Sequence, residues 1–98
     1  MRLRKKDCEP LARALDVVVE TLTTVGSERI AQVTLTRGRI CLQPADLSEG
    51  ERIATTLGCD VPLDHRMIAP GFTDWSGERD GLELHVRGAL RDPVGAPA

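Results

Sequence analysis

The sequence predicts an α+β protein of two layers, in which four mainly antiparallel strands form one sheet and two helices cover one of its faces. Three observations carry this expectation: an apolar stripe of helical period near the N-terminus, a shorter one at mid-chain, and alternating apolar and polar residues after each. The order is helix, hairpin, helix, hairpin, or αββαββ. With 98 residues, 41% hydrophobic and 29% charged, the chain forms a single folded domain over 1–98.

The first helix is expected over 8–25. Leu11, Leu15, Val18, Val19, Leu22 and Val25 fall three or four apart and mark the side that meets a core. Pro10 suits the first turn, where its missing N–H has no intrahelical partner, and Gly26 supplies a left-handed residue past the end.

The period then falls to two. Ala31, Val33 and Leu35 alternate with Gln32, Thr34 and Thr36, and beyond Arg37-Gly38 the residues Ile40 and Leu42 alternate with Arg39, Cys41 and Gln43. A two-residue loop at Arg37-Gly38 sets Leu35 opposite Ile40 and Val33 opposite Leu42, so no register adjustment is needed. Pro44 closes this hairpin. A capping box, Asp46 to Glu49 or Ser48 to Glu51, then opens a second helix carrying Leu47, Ile53, Ala54 and Leu57 and stopped by Gly58.

Residues 59–70 hold two prolines and read as a loop, in which Val61-Pro62-Leu63 and Met67-Ile68 fold back or meet a partner. The last hairpin turns at Asp80-Gly81, with Leu82, Leu84 and Val86 alternating against Glu83, His85 and Arg87. It places Trp75 opposite Leu84 or Val86, on the apolar side. The segment 90–98, including Arg91, is expected to fray. The outward side of the sheet then shows Gln32, Thr34, Arg39, Cys41, Gln43, Glu83, His85 and Arg87.

Charge is unevenly placed. Arg2, Arg4, Lys5 and Lys6 form a basic arm over 1–6, leaving nine basic and fifteen acidic residues in 7–98. An acidic body disfavours general phosphate binding, because such affinity comes from Lys and Arg neutralising phosphates. The arm, with Arg39, Arg87 and Arg91, offers DNA contacts as an alternative. Cys8, Cys41 and Cys59 are odd in number and widely spaced, which fits free thiols in the cytoplasm. No run reaches the length of a membrane span, and no membrane partner is expected.

The chemistry-bearing residues form no diagnostic frame. Cys59, Asp60, Asp64, His65 and His85 lack the short paired spacings of zinc sites, so no metal and no cofactor is expected. A Cys/His enzyme site within 59–70 (Cys59 with His65 and Asp64), or the pair Cys41 and His85, is a further alternative, and neither set occupies a known nucleophile motif. Glycine-rich phosphate loops are absent from the sequence, and Phe72 and Trp75 are too few aromatics for an RNA-stacking sheet.

Trp75-Ser76-Gly77, Asp80-Gly81 and the alternation from Leu82 to Val86 resemble the ends of small uncharacterised accessory proteins of actinobacteria and their phages. The resemblance covers about the last quarter of the chain and implies an accessory role. The expectation is therefore a non-enzymatic accessory or regulatory protein that binds a protein partner or its own copy, a homodimer included. Its contact residues are expected among Arg39, Cys41, His65, Met67, His85 and Arg87.

Overall fold

A computed structural model describes residues 5–92, with side chains from Pro10 onward. Helix α1 (Lys5–Val25) leads into strands β1 (Ile30–Thr36) and β2 (Arg39–Pro44). Helix α2 (Gly50–Leu57) follows, then β3 (Val61–His65), β4 (Phe72–Arg79) and β5 (Leu82–Ala89). The protein is α+β, but the sheet has five strands in the order β1-β2-β5-β4-β3, and β2 pairs with β5 in parallel. The four expected strands are corrected to five; three of the four seams are antiparallel, as the mainly antiparallel expectation has it, and the β2–β5 seam makes the sheet mixed.

The fifth strand is β3, inside the segment expected to be a loop. Pro62 donates no hydrogen bond, yet β3 lies at the sheet edge, where a missing N–H is tolerated. The turns follow the sequence more closely. Leu35 pairs with Ile40 and Val33 with Leu42 across Arg37-Gly38, with Gly38 at φ +78°. The register shifts between Ile30 and Gln32, so the hairpin carries an irregularity at Ala31 that alternation did not foretell. At the second turn Asp80 and Gly81 have φ +53° and +78°, both positive as a type I′ hairpin turn requires. Trp75 pairs with Val86 and is buried.

The first helix already includes Lys5 and Lys6, so Pro10 lies within it rather than in its first turn. Its buried residues are Ala14, Val17, Val18 and Thr21, whereas Leu11, Leu15 and Val19 are exposed. The helix is thus rotated from the expected facing. Thr21 is accommodated in the core because its hydroxyl donates to the Val18 carbonyl at 2.8 Å. Gly26 takes a positive φ of +96°, but its ψ of 117° is not that of a left-handed helical cap.

Leu47 falls in a short 3₁₀ turn, Leu47–Glu49, ahead of α2 and is partly exposed. Asp46 caps that turn, accepting the Ser48 N–H at 3.0 Å, and neither expected box closes reciprocally. Gly58 ends α2 in the left-handed conformation as expected. The start of α2 lies close against the sheet: a Cβ on Gly50 would stand 2.4 Å from the Gly88 Cα.

The core joins both helices to one side of the sheet. Ile40, Leu42, Leu84 and Val86 rise from β2 and β5 to meet Val17 of α1 and Ile53, Ala54 and Leu57 of α2. Each large aliphatic side chain withdrawn from water here contributes roughly 1.5–3 kcal/mol before conformational entropy is counted. Arg91 is anchored rather than frayed. Its guanidinium makes two bonds to Asp64, at 3.0 and 2.9 Å, and its N–H donates to the Thr73 hydroxyl at 3.1 Å. Residues 93–98 of the expected tail lie outside the described residues.

Candidate functional site

The strands turn alternate residues away from the helices, and those residues line a depression of about 540 Å³ on the outer face. From β2 come Arg39, Cys41 and Gln43, and from β1 Gln32 and Thr34. Strand β5 adds His85 and Arg87, β4 adds Phe72 and Asp74, and β3 adds Leu63 and His65. Arg39, Cys41, His65, His85 and Arg87 are therefore together. Met67 is not: it lies at 98% exposure in the connection from β3 to β4.

A row of charges crosses the face. Arg39 of β2 lies 3.4 Å from Glu83 of β5, and the same Glu83 oxygen is 3.2 Å from His85 Nε2. His85 Nδ1 then meets Asp74 of β4 at 2.9 Å. Register brings these groups together, since Arg39 is level with Glu83, and His85 with Cys41 and Ser76. The His85 hydrogen bond, followed by the Arg39 charge, holds the Glu83 carboxyl below its usual range. One imidazole donates to both carboxylates only when both nitrogens carry hydrogen.

Beside this row lies an aromatic and cationic group. His65 stacks on Phe72 with centroids 4.6 Å apart, and the Arg87 guanidinium carbon lies 3.9 Å from the centre of the Phe72 ring. Arg87 makes no ion pair among the described residues, whereas Arg39 is matched by Glu83 and Arg91 by Asp64. Two of the three arginines considered for DNA contacts are thus already neutralised. Arg2 and Arg4 lie outside the described residues. Lys5 and Lys6 belong to the α1 backbone.

The candidate catalytic sets are separated or unsupported by their surroundings. Cys59 is fully buried under the sheet with its thiol directed at the Leu84 carbonyl, and burial pushes that thiol up to about 11. Asp64 is turned to the helix side by its bonds to Arg91 and Thr73, while His65 faces outward. Cys41 and His85 are level on adjacent strands, but both imidazole nitrogens are engaged by carboxylates. Burial raises the Cys41 thiol as well. Among the described residues no three His, Cys, Asp or Glu side chains form a group able to hold a metal ion.

Leu63, Phe72 and Asp74 belong to this face although the sequence reading does not place them there. The alternation of Val61, Leu63 and His65 with Pro62 and Asp64 is the signal for β3, outweighed in the sequence by the two prolines of 59–70. Among the described residues no helix is long and apolar enough to cross a membrane. Compared with protein families, curated proteins and solved structures, the chain finds no significant match.

Proposed function

We propose that the protein is a small non-enzymatic accessory module of the cytoplasm, and that a protein partner lies on its outer sheet face. The observation that carries this reading is the meeting of Arg39, Cys41, His65, His85 and Arg87 in one depression beside exposed Leu63 and Val61. The charge row supports it, because groups already paired in the free protein need little reordering when a partner arrives. Arg87 supports it further: a guanidinium resting on an aromatic ring and making no ion pair among the described residues suits a partner's carboxylate.

The test is a comparison of what native-level protein retains after crosslinking in its own cell. Arg87→Glu and Leu63→Asp change exposed side chains, and each is expected to lose the same partner while the circular dichroism spectrum is unchanged. Retention of that partner by the double variant overturns the assignment of this face.

A further inference from the structure

The two edges of the sheet are unlike. Strand β3 carries Pro62, Asp64 and His65 in five residues, the proline and charge that discourage pairing with another strand. Strand β1, at the other edge, reads Ile-Ala-Gln-Val-Thr-Leu-Thr and has neither charge nor proline. Its irregularity is confined to Ala31, so among the described residues Gln32 to Thr36 form an uncovered, regular edge.

An apolar stripe lies above that edge. Leu11, Leu15 and Val19 repeat every fourth residue on α1 and are 54%, 53% and 63% exposed. On the opposite flank of the helix Glu20 reaches Arg79 of β4 at 2.8 Å, and Thr24 lies beside Arg52 and Thr56 of α2. The stripe therefore faces away from α2 and toward β1, where Leu11 shares a recess with Leu35. Val33 and Leu35 beneath it are only half-buried.

We infer that a second copy of this chain covers this side, pairing β1 with β1 antiparallel and laying α1 against α1. The inference names one partner for the interaction module proposed above and rests on the α1 stripe and the β1 edge, of which Gln32 and Thr34 alone also line the outer depression. Thr36 and Arg39 flank the two-residue turn, so Thr36, Thr34 and Gln32 direct their backbone groups to β2. Val33 and Leu35 direct theirs outward. A two-fold axis at Thr34 then bonds Val33 to the partner's Leu35 and Leu35 to the partner's Val33, all side chains on the helix side.

A foreign strand added to this edge leaves the stripe uncovered, whereas a symmetric copy brings an identical stripe. A row spaced by four is also the ridge that packs against its own kind. The stripe offers roughly 300 Å², the scale of a functional apolar patch. The flank of β1 adds to this in both copies, against the roughly 1,200 Å² in total at which specific interfaces begin.

Sedimentation equilibrium of the full chain from 1 to ~200 µM tests this, the range chosen for an interface of that size. The wild type is expected to reach a two-chain mass. Leu15→Glu and Thr34→Lys, both at exposed positions, each raise the dissociation constant at least ~30-fold with unchanged circular dichroism. Thr34→Lys mixed with Thr34→Glu restores the two-chain mass, because opposite charges then meet at the axis. A one-chain mass for the wild type throughout overturns the inference. So does dissociation by only one of the two substitutions, or failure of the mixture to reassociate. Loss of the dimer by Leu15→Glu, which lies on α1 away from the depression, with the outer-face partner retained leaves the proposed function standing, and loss of that partner by Arg87→Glu with the two-chain mass retained leaves the dimer standing.

Discussion

Arg91 grips Asp64 through two N–H···O bonds, Nε at 3.0 Å and Nη2 at 2.9 Å, and so ties the chain beyond β5 to the edge strand β3. The Thr73 hydroxyl donates to the same carboxylate at 2.7 Å. Together, with the Arg91 bonds dominant, they hold the Asp64 carboxyl at about 2 rather than its ordinary 3.8. A depressed acid stabilises the fold fully above its unfolded value and loses that contribution as pH falls through the folded one. Stability from this pair is therefore expected to disappear between about pH 4 and pH 2. Arg91→Ala lowers the melting temperature at pH 7 and flattens the curve within that window. Melting curves of both proteins from pH 7 to pH 2 check this, and parallel curves refute it.

At Gly50 and Gly88 helix α2 lies close against the sheet, backbone to backbone. A Cβ at Gly50 would also meet the Arg87 carbonyl at 2.5 Å, and both obstacles are backbone. Gly50→Ala is expected to cost about 1–3 kcal/mol by forcing α2 off the sheet. Urea unfolding measures it, and a change below ~0.5 kcal/mol is the ordinary surface effect that contradicts this packing.

The facing of α1 is tested by two neighbours. Val17 is 1% exposed and Leu15 is 53% exposed. Val17→Ala is expected to lose about 2–3 kcal/mol, from transfer plus cavity, and Leu15→Ala under ~1 kcal/mol in dilute solution. Equal losses in denaturant titrations contradict the observed rotation of the helix.

The two described thiols differ in accessibility. Cys59 is fully buried and Cys41 half-buried, and burial pushes the Cys59 thiol up to about 11. At pH 8 a group so shifted is thiolate only about one part in a thousand. Iodoacetamide is expected to modify Cys41 in the folded protein and Cys59 only after unfolding, as read by peptide mass mapping. Early modification of Cys59 contradicts its placement beneath the sheet.

Local features were the ones legible in the sequence. The Arg37-Gly38 and Asp80-Gly81 turns fixed the pairings of Leu35 with Ile40 and Trp75 with Val86, because a short loop and a period of two leave little freedom. The same alternation located Arg39, Cys41, His85 and Arg87 on one face. Non-local features were not legible. The parallel seam of β2 and β5 depends on where the last strand inserts, which no short window encodes.

Helix α1 shows a different limit. Ala14, Val17 and Val18 adjoin Leu11, Leu15 and Val19 in one broad apolar arc, and period alone does not say which part meets the sheet. The Glu20–Arg79 pair goes with the observed rotation and requires the folded neighbour, whereas the Thr21 bond to Val18 is local and only allows the hydroxyl to be buried. Asp74 joined the candidate site for the same reason, through His85 on the next strand.

The insertion of β5 between β2 and β4 makes it the keystone of an arch whose two piers are made earlier in the chain. Until it is seated, the first hairpin and the β3–β4 ribbon share no edge, and Ile40 and Leu42 lack the Leu84 and Val86 that wall them in. Neither half of the polypeptide is consequently a separable building block, and assembly must be cooperative across the whole span.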